Sequence, residues 1–270
     1  PTGITSIPAY LFMYCQNLQS VTIHENITAI EDGAFSTCLK LTSIDIPNSV
    51  TSIGFGAFYG AGIRSIVLPE NITTINENTF YGCTNLASIT IPNKVTSIKE
   101  SAFFGCTSLK SVSIPNSVTT IEGNVFYDCT SLEELYIPKS VTSITNYTFG
   151  NCESLKSIAV EDGNTVYDSR NNCNAIIESA TNTLITGCQN TIIPKDVVSV
   201  GKYAFVGQKQ LNLIAFPSSI QKIEYNAFAD CSNLKTIVFG NQLDSIDQKA
   251  FENCLAIDDI YSYNLQPPFF

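Results

Sequence analysis

The sequence predicts a right-handed, β-rich α/β solenoid of about ten 23-residue coils, with short helical or 3₁₀ turns and one hairpin-like insertion. Three observations predict it. First, phenylalanine recurs at Phe12, Phe35, Phe58, Phe80, Phe103, Phe126, Phe149, Phe205, Phe228 and Phe251, in steps of 23, 23, 22, 23, 23, 23, 56, 23 and 23 residues. The long step is one period with a 33-residue insertion. Second, other apolar residues keep fixed offsets from each phenylalanine. Third, 44% of the chain is hydrophobic but only 14% is charged. Ser, Thr and Asn take up the difference, as expected where short polar side chains separate buried apolar ones.

Each element of a coil can be justified from the fifth repeat. Val95-Thr-Ser-Ile98 reads as a short strand. Phe103, Cys106 and Leu109 step by three, which suits a 3₁₀-like or short helical turn pointing inward. Val112-Ser-Ile114 alternates with period 2, as a half-buried strand does. Pro115 then ends the strand, because it lacks the N–H that the ladder needs. One repeat cannot bury its own apolar face, so stacked coils must cover one another. The phenylalanines are expected to form an inner spine. One solenoid is expected over residues 1–270, with the insertion at 161–193 between the seventh and eighth repeats.

The formal net charge is −10, from 14 basic and 24 acidic residues. Phosphate binding needs clustered Lys and Arg, so this balance argues against nucleic acid and anionic membrane. No apolar stretch approaches the roughly 18 residues needed for a membrane span, and no signal peptide is visible. The start at Pro1 suggests a processed or engineered N-terminus, and the abrupt end at Leu265-Gln-Pro-Pro-Phe-Phe270 suggests that more chain follows.

Eight of the ten cysteines (Cys15, Cys38, Cys83, Cys106, Cys129, Cys152, Cys231 and Cys254) lie three residues after a repeat phenylalanine. The other two repeats hold Ala61 and Gln208 there. This reads as a small inward slot occupied by free buried thiols. Cys173 and Cys188 lie off the ladder, in an insertion whose Ala175–Glu178 and Thr183–Thr186 runs flank a turn. If Ile176 pairs with Ile185, Cys173 faces Cys188 and a cross-strand disulfide is geometrically allowed. A one-residue slip removes it and leaves two free thiols.

Little points to catalysis. His24 is the lone histidine and occupies the turn position where other repeats place Pro47, Pro92, Pro115, Pro138 and Pro217. No G-x-S-x-G, C-x-x-C, H-E-x-x-H or Walker A motif is present. Glu161-Asp-Gly-Asn164 and Asp168–Asn172 are oxygen-rich, but neither has EF-hand spacing and both read better as turns. Adjacent carboxylates at Glu133-Glu134 and Asp258-Asp259 point to opposite sides of a strand, unlike a glycosidase pair. No catalytic residue, metal or cofactor is assigned. Three Asn-x-Thr sequons, at Asn26, Asn71 and Asn146, arise from the repeat itself and receive no role.

Partner binding belongs on the outward strand positions. Eight residues after phenylalanine the column is mostly Ser or Thr, but holds Glu134 and Asp259. Ten residues after, it holds Tyr136 and Tyr261. Tyrosine is enriched in binding hot spots, so Glu134, Tyr136, Asp259 and Tyr261 are the candidate binding residues. The insertion is a further candidate, either as a projecting contact element or as a brace.

The pattern L-x-x-L-x-L followed by Ile-Pro, the 23-residue period and a central Ala-Phe-x-x-Cys resemble the BspA-type leucine-rich repeat. Ile46-Pro-Asn-Ser-Val-Thr-Ser-Ile53 and Ala102-Phe-Phe-Gly-Cys-Thr-Ser-Leu109 carry the resemblance, which covers nearly the whole chain. The segment from Val166 to Glu178, with Asn182-Thr-Leu-Ile and Gly187-Cys188, also resembles one common in bacterial members. The resemblance implies an α/β leucine-rich-repeat solenoid in an exported or cell-surface protein. It implies a non-enzymatic adhesion or protein-binding role, with host extracellular-matrix or plasma proteins such as fibronectin and fibrinogen as partners. A monomer is expected. The alternative is a structural spacer or stalk that presents another domain and has no ligand of its own.

Overall fold

The computed structural model describes residues 3–145 and 147–263. The Asn146 sequon and the Leu265–Phe270 run lie outside the described residues. The fold is a parallel β-solenoid of about 11 turns of about 23 residues. The chain divides into two compact units, one of Pro1–Leu132 with Ser140–Phe149, the other of Glu133–Lys139 with Gly150–Phe270.

In the first unit each coil contributes a two-residue strand such as Ser52–Ile53, Thr74–Ile75, Ser97–Ile98 or Thr120–Ile121. Equivalent residues of successive coils pair in parallel, Ser97 with Thr120 and Ile98 with Ile121. The isoleucine is buried and the preceding residue faces outward. A second row, including Ser65–Val67 and Ser88–Thr90, has an exposed–buried–exposed pattern. A turn begun at proline closes most coils, as where Val50 N–H donates to the Pro47 carbonyl. Ile27 N–H donates to the His24 carbonyl in the same way, so His24 is the turn residue that its position predicts.

The segment around each phenylalanine is turn rather than helix, which corrects the expectation of helical turns. The step of three is present as i to i−3 bonds: Ala34 N–H to Glu31, Ser36 to Gly33, Cys38 to Phe35. The intervening amides leave the coil. Gly33, Phe35 and Thr37 donate to the carbonyls of Phe55, Ala57 and Tyr59 in the next coil. This alternation needs a left-handed backbone two residues before and two residues after phenylalanine. Gly33 and Thr37 have φ of 58° and 59°, Ser101 and Gly105 have 56° and 68°, and Asn226 and Asp230 have 54° and 61°. A residue at positive φ on each side of the phenylalanine prevents a helix from propagating. Among the described residues the one helical element is the 3₁₀ turn Arg170–Asn172, inside the insertion.

Phe12, Phe35, Phe58, Phe80, Phe103, Phe126 and Phe149 stack face to face in the first unit, with centroids 5.4–5.7 Å apart. Phe205, Phe228 and Phe251 stack at 4.7 and 5.1 Å in the second. Beside the rings runs a ladder of thiols. The Cys38, Cys83, Cys106 and Cys129 S–H groups donate to the carbonyls of Phe12, Phe58, Phe80 and Phe103, at 3.0–3.3 Å. The slot therefore does more than accept a small side chain, because its thiol bonds to the preceding coil. Cys15 departs from the buried set and is exposed. Gln208 fills the slot with an amide, buried, whose Nε2 donates to the Cys152 carbonyl at 3.1 Å.

In the second unit the insertion is built into the sheet. Strand Ala175–Glu178 pairs antiparallel with Thr183–Gly187, and the latter pairs in parallel with Ser199–Val200. The six-stranded sheet continues through Lys222–Ile223 to Ser245–Ile246. Ile176, Ile177 and Leu184 are fully buried. The insertion thus supplies a rung of its own, which accounts for more than the ten turns counted on phenylalanine. The hairpin register shifts between Ile176 and Ile177, so that Ile176 faces Thr186 rather than Ile185. That bulge removes the alignment of Cys173 with Cys188. The Cys188 thiol donates instead to the Asn174 carbonyl at 3.5 Å, and all ten cysteines are free.

Candidate binding surface

Glu134 and Tyr136 lie on strand Glu134–Ile137, whose alternation buries Leu135 and Ile137 and turns both candidates outward. Tyr136 is 51% exposed. This strand pairs in parallel with Ser157–Val160, placing Glu134 beside Ser157 and Tyr136 beside Ala159. Small neighbours leave the tyrosine ring standing above the sheet. Lys156 Nζ donates to Glu133 Oε2, and the charge of Glu134 also acts on the same ammonium.

Asp259 and Tyr261 lie on strand Asp259–Ser262, beside Thr236 and Val238. Tyr261 is 53% exposed. The structure brings each acid together with its tyrosine, two residues apart on one face. It places the two pairs in different sheets, the first with Ser157–Val160 and the second with Leu213–Ala215 and Thr236–Phe239. Each pair offers an amphipathic ring beside a carboxylate, an arrangement suited to a partner carrying cationic and apolar groups.

A cleft of about 590 Å³ opens on the strand next to Tyr136, lined by Ser157, Ala159, Asn164, Asp168, Arg170 and Asn172 among others. Its polar groups are largely committed to structure. Asn164 Oδ1 accepts from the amides of Val166 and Tyr167, both at 2.9 Å. Glu161 Oε2 accepts from the Lys139 amide at 2.9 Å. The Asn164 bonds, with Arg170 N–H donating to Asp168 Oδ1 at 3.1 Å, are turn chemistry in the two oxygen-rich runs. Among the described residues no group of three or more His, Cys, Asp or Glu side chains is placed to hold a metal ion.

Arg170 is the centre of the insertion. Its guanidinium donates to Asp168 Oδ1 and Oδ2, to Asn182 Oδ1 at 2.8 Å and to Asp196 Oδ2. Burial alone raises the Asp168 carboxyl, but hydrogen bonds from Arg170 and Ser179 outweigh it and hold the group below its usual range. A carboxyl depressed on folding stabilises the fold above its unfolded value, about 3.9, and loses that contribution as pH falls through the folded value. Amide protection of Ala175–Glu178 and Thr183–Gly187 is therefore expected to be level from about pH 7 to 5 and to fall below about pH 4. Arg170→Ala is expected to cost about 1–3 kcal/mol by leaving charged partners unpaired. It is also expected to flatten this acid dependence in hydrogen exchange.

One feature of the surface lies outside the two candidate columns. Tyr59, Tyr81, Phe104 and Tyr127 stack at 4.6–5.2 Å with nearly parallel rings. Burial, with Tyr59 and Asp128 nearby, raises the Tyr81 hydroxyl. The same period carries the signal, one residue after phenylalanine, where aromatic side chains run through four successive coils. Val67 and Leu213 are also exposed on the outward strand columns.

The repeat that builds these coils is matched along the sequence by a family model. The BspA-type leucine-rich repeat region aligns with residues 5–122, 73–187 and 176–266 in 6 copies. The chain belongs to the BspA-type leucine-rich repeat family. Among solved structures, this BspA-type chain is similar to a leucine-rich cell surface protein from Faecalibacterium prausnitzii, with 24% identity and a TM-score of 0.57 over 98% of this chain and 78% of that one. A leucine-rich repeat protein from Bacteroides ovatus gives 24% identity and a TM-score of 0.62, over 96% and 76%. The pneumococcal vaccine antigen PcpA gives 19% and 0.54, over 97% of this chain and 57% of that one. At these identities the likeness shows the fold alone. No curated protein matches the chain. No helix among the described residues is long and apolar enough to cross a membrane.

Proposed function

We propose that this BspA-type solenoid is a non-enzymatic protein-binding or adhesion module of an exported or cell-surface protein, with host extracellular-matrix or plasma proteins as its partner class. The observation that carries the reading is the pair Glu134 and Tyr136. Beside a strand that presents only Ser157 and Ala159 to it, a half-exposed tyrosine stands next to a carboxylate on a paired strand. Rigid presentation lowers the ordering cost of binding, and a tyrosine anchor supplies contact area with few rotatable bonds. Asp259 and Tyr261 repeat the chemistry on a second sheet. Membership of a family with cell-surface relatives supports the location.

The test is a biosensor screen of the intact chain against fibronectin, fibrinogen and other matrix and plasma proteins. Binding is expected, and Glu134→Ala with Tyr136→Ala is expected to weaken it about tenfold or more. The doubly substituted chain should keep the parent melting curve. Unchanged affinity would remove this patch. No binding to any member of the panel would favour the spacer reading, which the Ser and Thr columns of the first unit support.

A further inference from the structure

The outer aromatic row of Tyr59, Tyr81, Phe104 and Tyr127 coincides with a second departure from the repeat. The residues that follow these rings are Gly60, Gly82, Gly105 and Asp128. The backbone at this offset is left-handed, with φ of 60°, 66° and 68° at the three glycines. That conformation does not demand glycine here, because Thr37, Asp128, Asn151 and Asn253 adopt it at the same offset, with φ of 54–63°. Packing does not demand it either. Beyond its chain neighbours, a Cβ at Gly82 would meet nothing nearer than the Gly60 Cα at 4.0 Å, and one at Gly105 nothing nearer than the Gly82 Cα at 3.8 Å.

The two departures together make a trough. Its floor is the three glycines, one wall is the ring row, and Thr37 and Asp128 close its ends. The rings are nearly parallel and stacked at 4.6–5.2 Å, so their faces cover one another and their edges and hydroxyls are left to meet a guest. The main chain of the floor is already bonded. Gly60, Gly82 and Gly105 N–H donate to the carbonyls of Tyr81, Phe104 and Tyr127 in the next coil, at 2.7–2.8 Å. Strand addition by a partner therefore finds no donors on the floor. A guest must bring a backbone that needs no pairing, which is the property of polyproline II.

Length and charge fit the same guest. Thr37 to Asp128 spans four coil steps, roughly 19 Å at about 4.8 Å per rung. About six residues of polyproline II cover that distance at about 3.1 Å each. One turn of that helix, about 9.3 Å, matches two rungs, so equivalent prolines would meet every second ring. Burial, then Tyr59, then Asp128 raise the Tyr81 hydroxyl, so the Asp128 carboxylate acts on the ring row. Glu77 and Glu100 are exposed in the same coils, while Lys99 is paired with Glu122. Among the described residues Asp128 and Glu100 take part in no ion pair, which leaves negative charge for a basic residue of the guest.

We propose that the trough beside Tyr59, Tyr81, Phe104 and Tyr127 binds a proline-rich segment of a partner protein in the polyproline II conformation, with a basic residue of that segment at Asp128. The proline rings pack on the glycines and ring edges. The hydroxyls of Tyr59, Tyr81 and Tyr127 donate to the carbonyls that polyproline II leaves unpaired. The site is separate from Glu134 and Tyr136 and does not depend on their binding.

The experiment titrates the intact chain by calorimetry with a peptide of about ten prolines ending in arginine. Binding is expected, and it should weaken as salt rises. Gly82→Asn with Gly105→Asn should weaken it about tenfold or more and leave the melting curve unchanged, because asparagine already takes this backbone at Asn151 and Asn253. Asp128→Asn should weaken the arginine peptide and spare a peptide of proline alone. Tyr81→Phe, which keeps the stack as Phe104 does, should weaken both by removing one donor. No binding of the arginine peptide, equal binding of a Gly-Ser peptide of the same length, or unchanged affinity in the asparagine variant would overturn the proposal. Binding of a neutral glucan oligosaccharide in place of the peptide would overturn it too. These variants leave Glu134 and Tyr136 intact, so the result is independent of the matrix-protein screen.

Discussion

Replacing Phe103 by alanine is expected to cost about 3–5 kcal/mol of folding stability, the range for a large aromatic truncated in a core. The ring is fully buried and stacks on both sides, at 5.5 Å from Phe80 and 5.4 Å from Phe126. Its removal withdraws partner atoms from two neighbours at once, and the backbone resists collapse into the space. The hydrogen bonds from Phe103 N–H to the Val125 carbonyl, and from Phe80 N–H to Ala102, hold the coils at fixed spacing. A cavity that cannot close adds to the lost transfer free energy of the ring. Urea unfolding checks this as a lower midpoint with an unchanged slope. Phe251→Ala should cost less, because Phe251 is only partly buried and packs at the margin of its core. A loss below about 1 kcal/mol at Phe103 would mean that the stack is not what holds the coils together.

Replacing Gly187 by alanine is expected to cost about 2–3 kcal/mol, toward the upper end of the range for overpacking a core. Gly187 ends the second strand of the insertion and donates its N–H to the Ala204 carbonyl at 2.8 Å. A Cβ there would sit 2.2 Å from Phe205 Cε1 and 2.3 Å from its Cζ. The Phe205 ring is fully buried and stacks on Phe228, so it has little room to withdraw. Either the ring leaves its stack or the hairpin lifts from the coil. Hydrogen exchange should show faster opening of Ala175–Glu178 and Thr183–Gly187. Phe205→Leu removes the two closest clashing atoms, Cε1 and Cζ, so the doubly substituted chain should lose less than the two single losses added together. Additive losses would place the strain elsewhere.

Much of this architecture is legible in the sequence because a solenoid repeats its local environment. Once Phe35, Phe58 and Phe80 share a column, so do Cys38, Ala61 and Cys83, and the outward side chains follow from period 2. Tyr136 and Glu134 were readable as departures from a Ser and Thr face, and strand pairing confirms that they point outward. His24 was readable as a turn residue because it replaces proline at one offset.

The segment around each phenylalanine looks helical in the sequence for a physical reason. A step of three among Phe103, Cys106 and Leu109 fits a helical turn and a chain of i to i−3 bonds equally well. What separates them is the left-handed backbone at residues such as Ser101, Thr37, Tyr203 and Lys249, side chains that do not announce positive φ. Those conformations persist because every second amide is bonded to the next coil, a gain that appears only when coils are stacked. Asparagine and glycine at the same offsets, Asn78 and Gly82 for example, carry the local part of the signal.

By itself the sequence determined the period, the buried phenylalanine column, the thiol slot, the proline turn and the outward pairs of acid and tyrosine. All of these recur with the coil and need no knowledge of distant residues. Only the tertiary structure decided that the insertion is a rung and that its bulge takes Cys173 out of register with Cys188. The insertion occurs once, so no repetition averages its register into view. That register is set by packing Ile177, Leu184 and Gly187 against coils that arrive later in the chain.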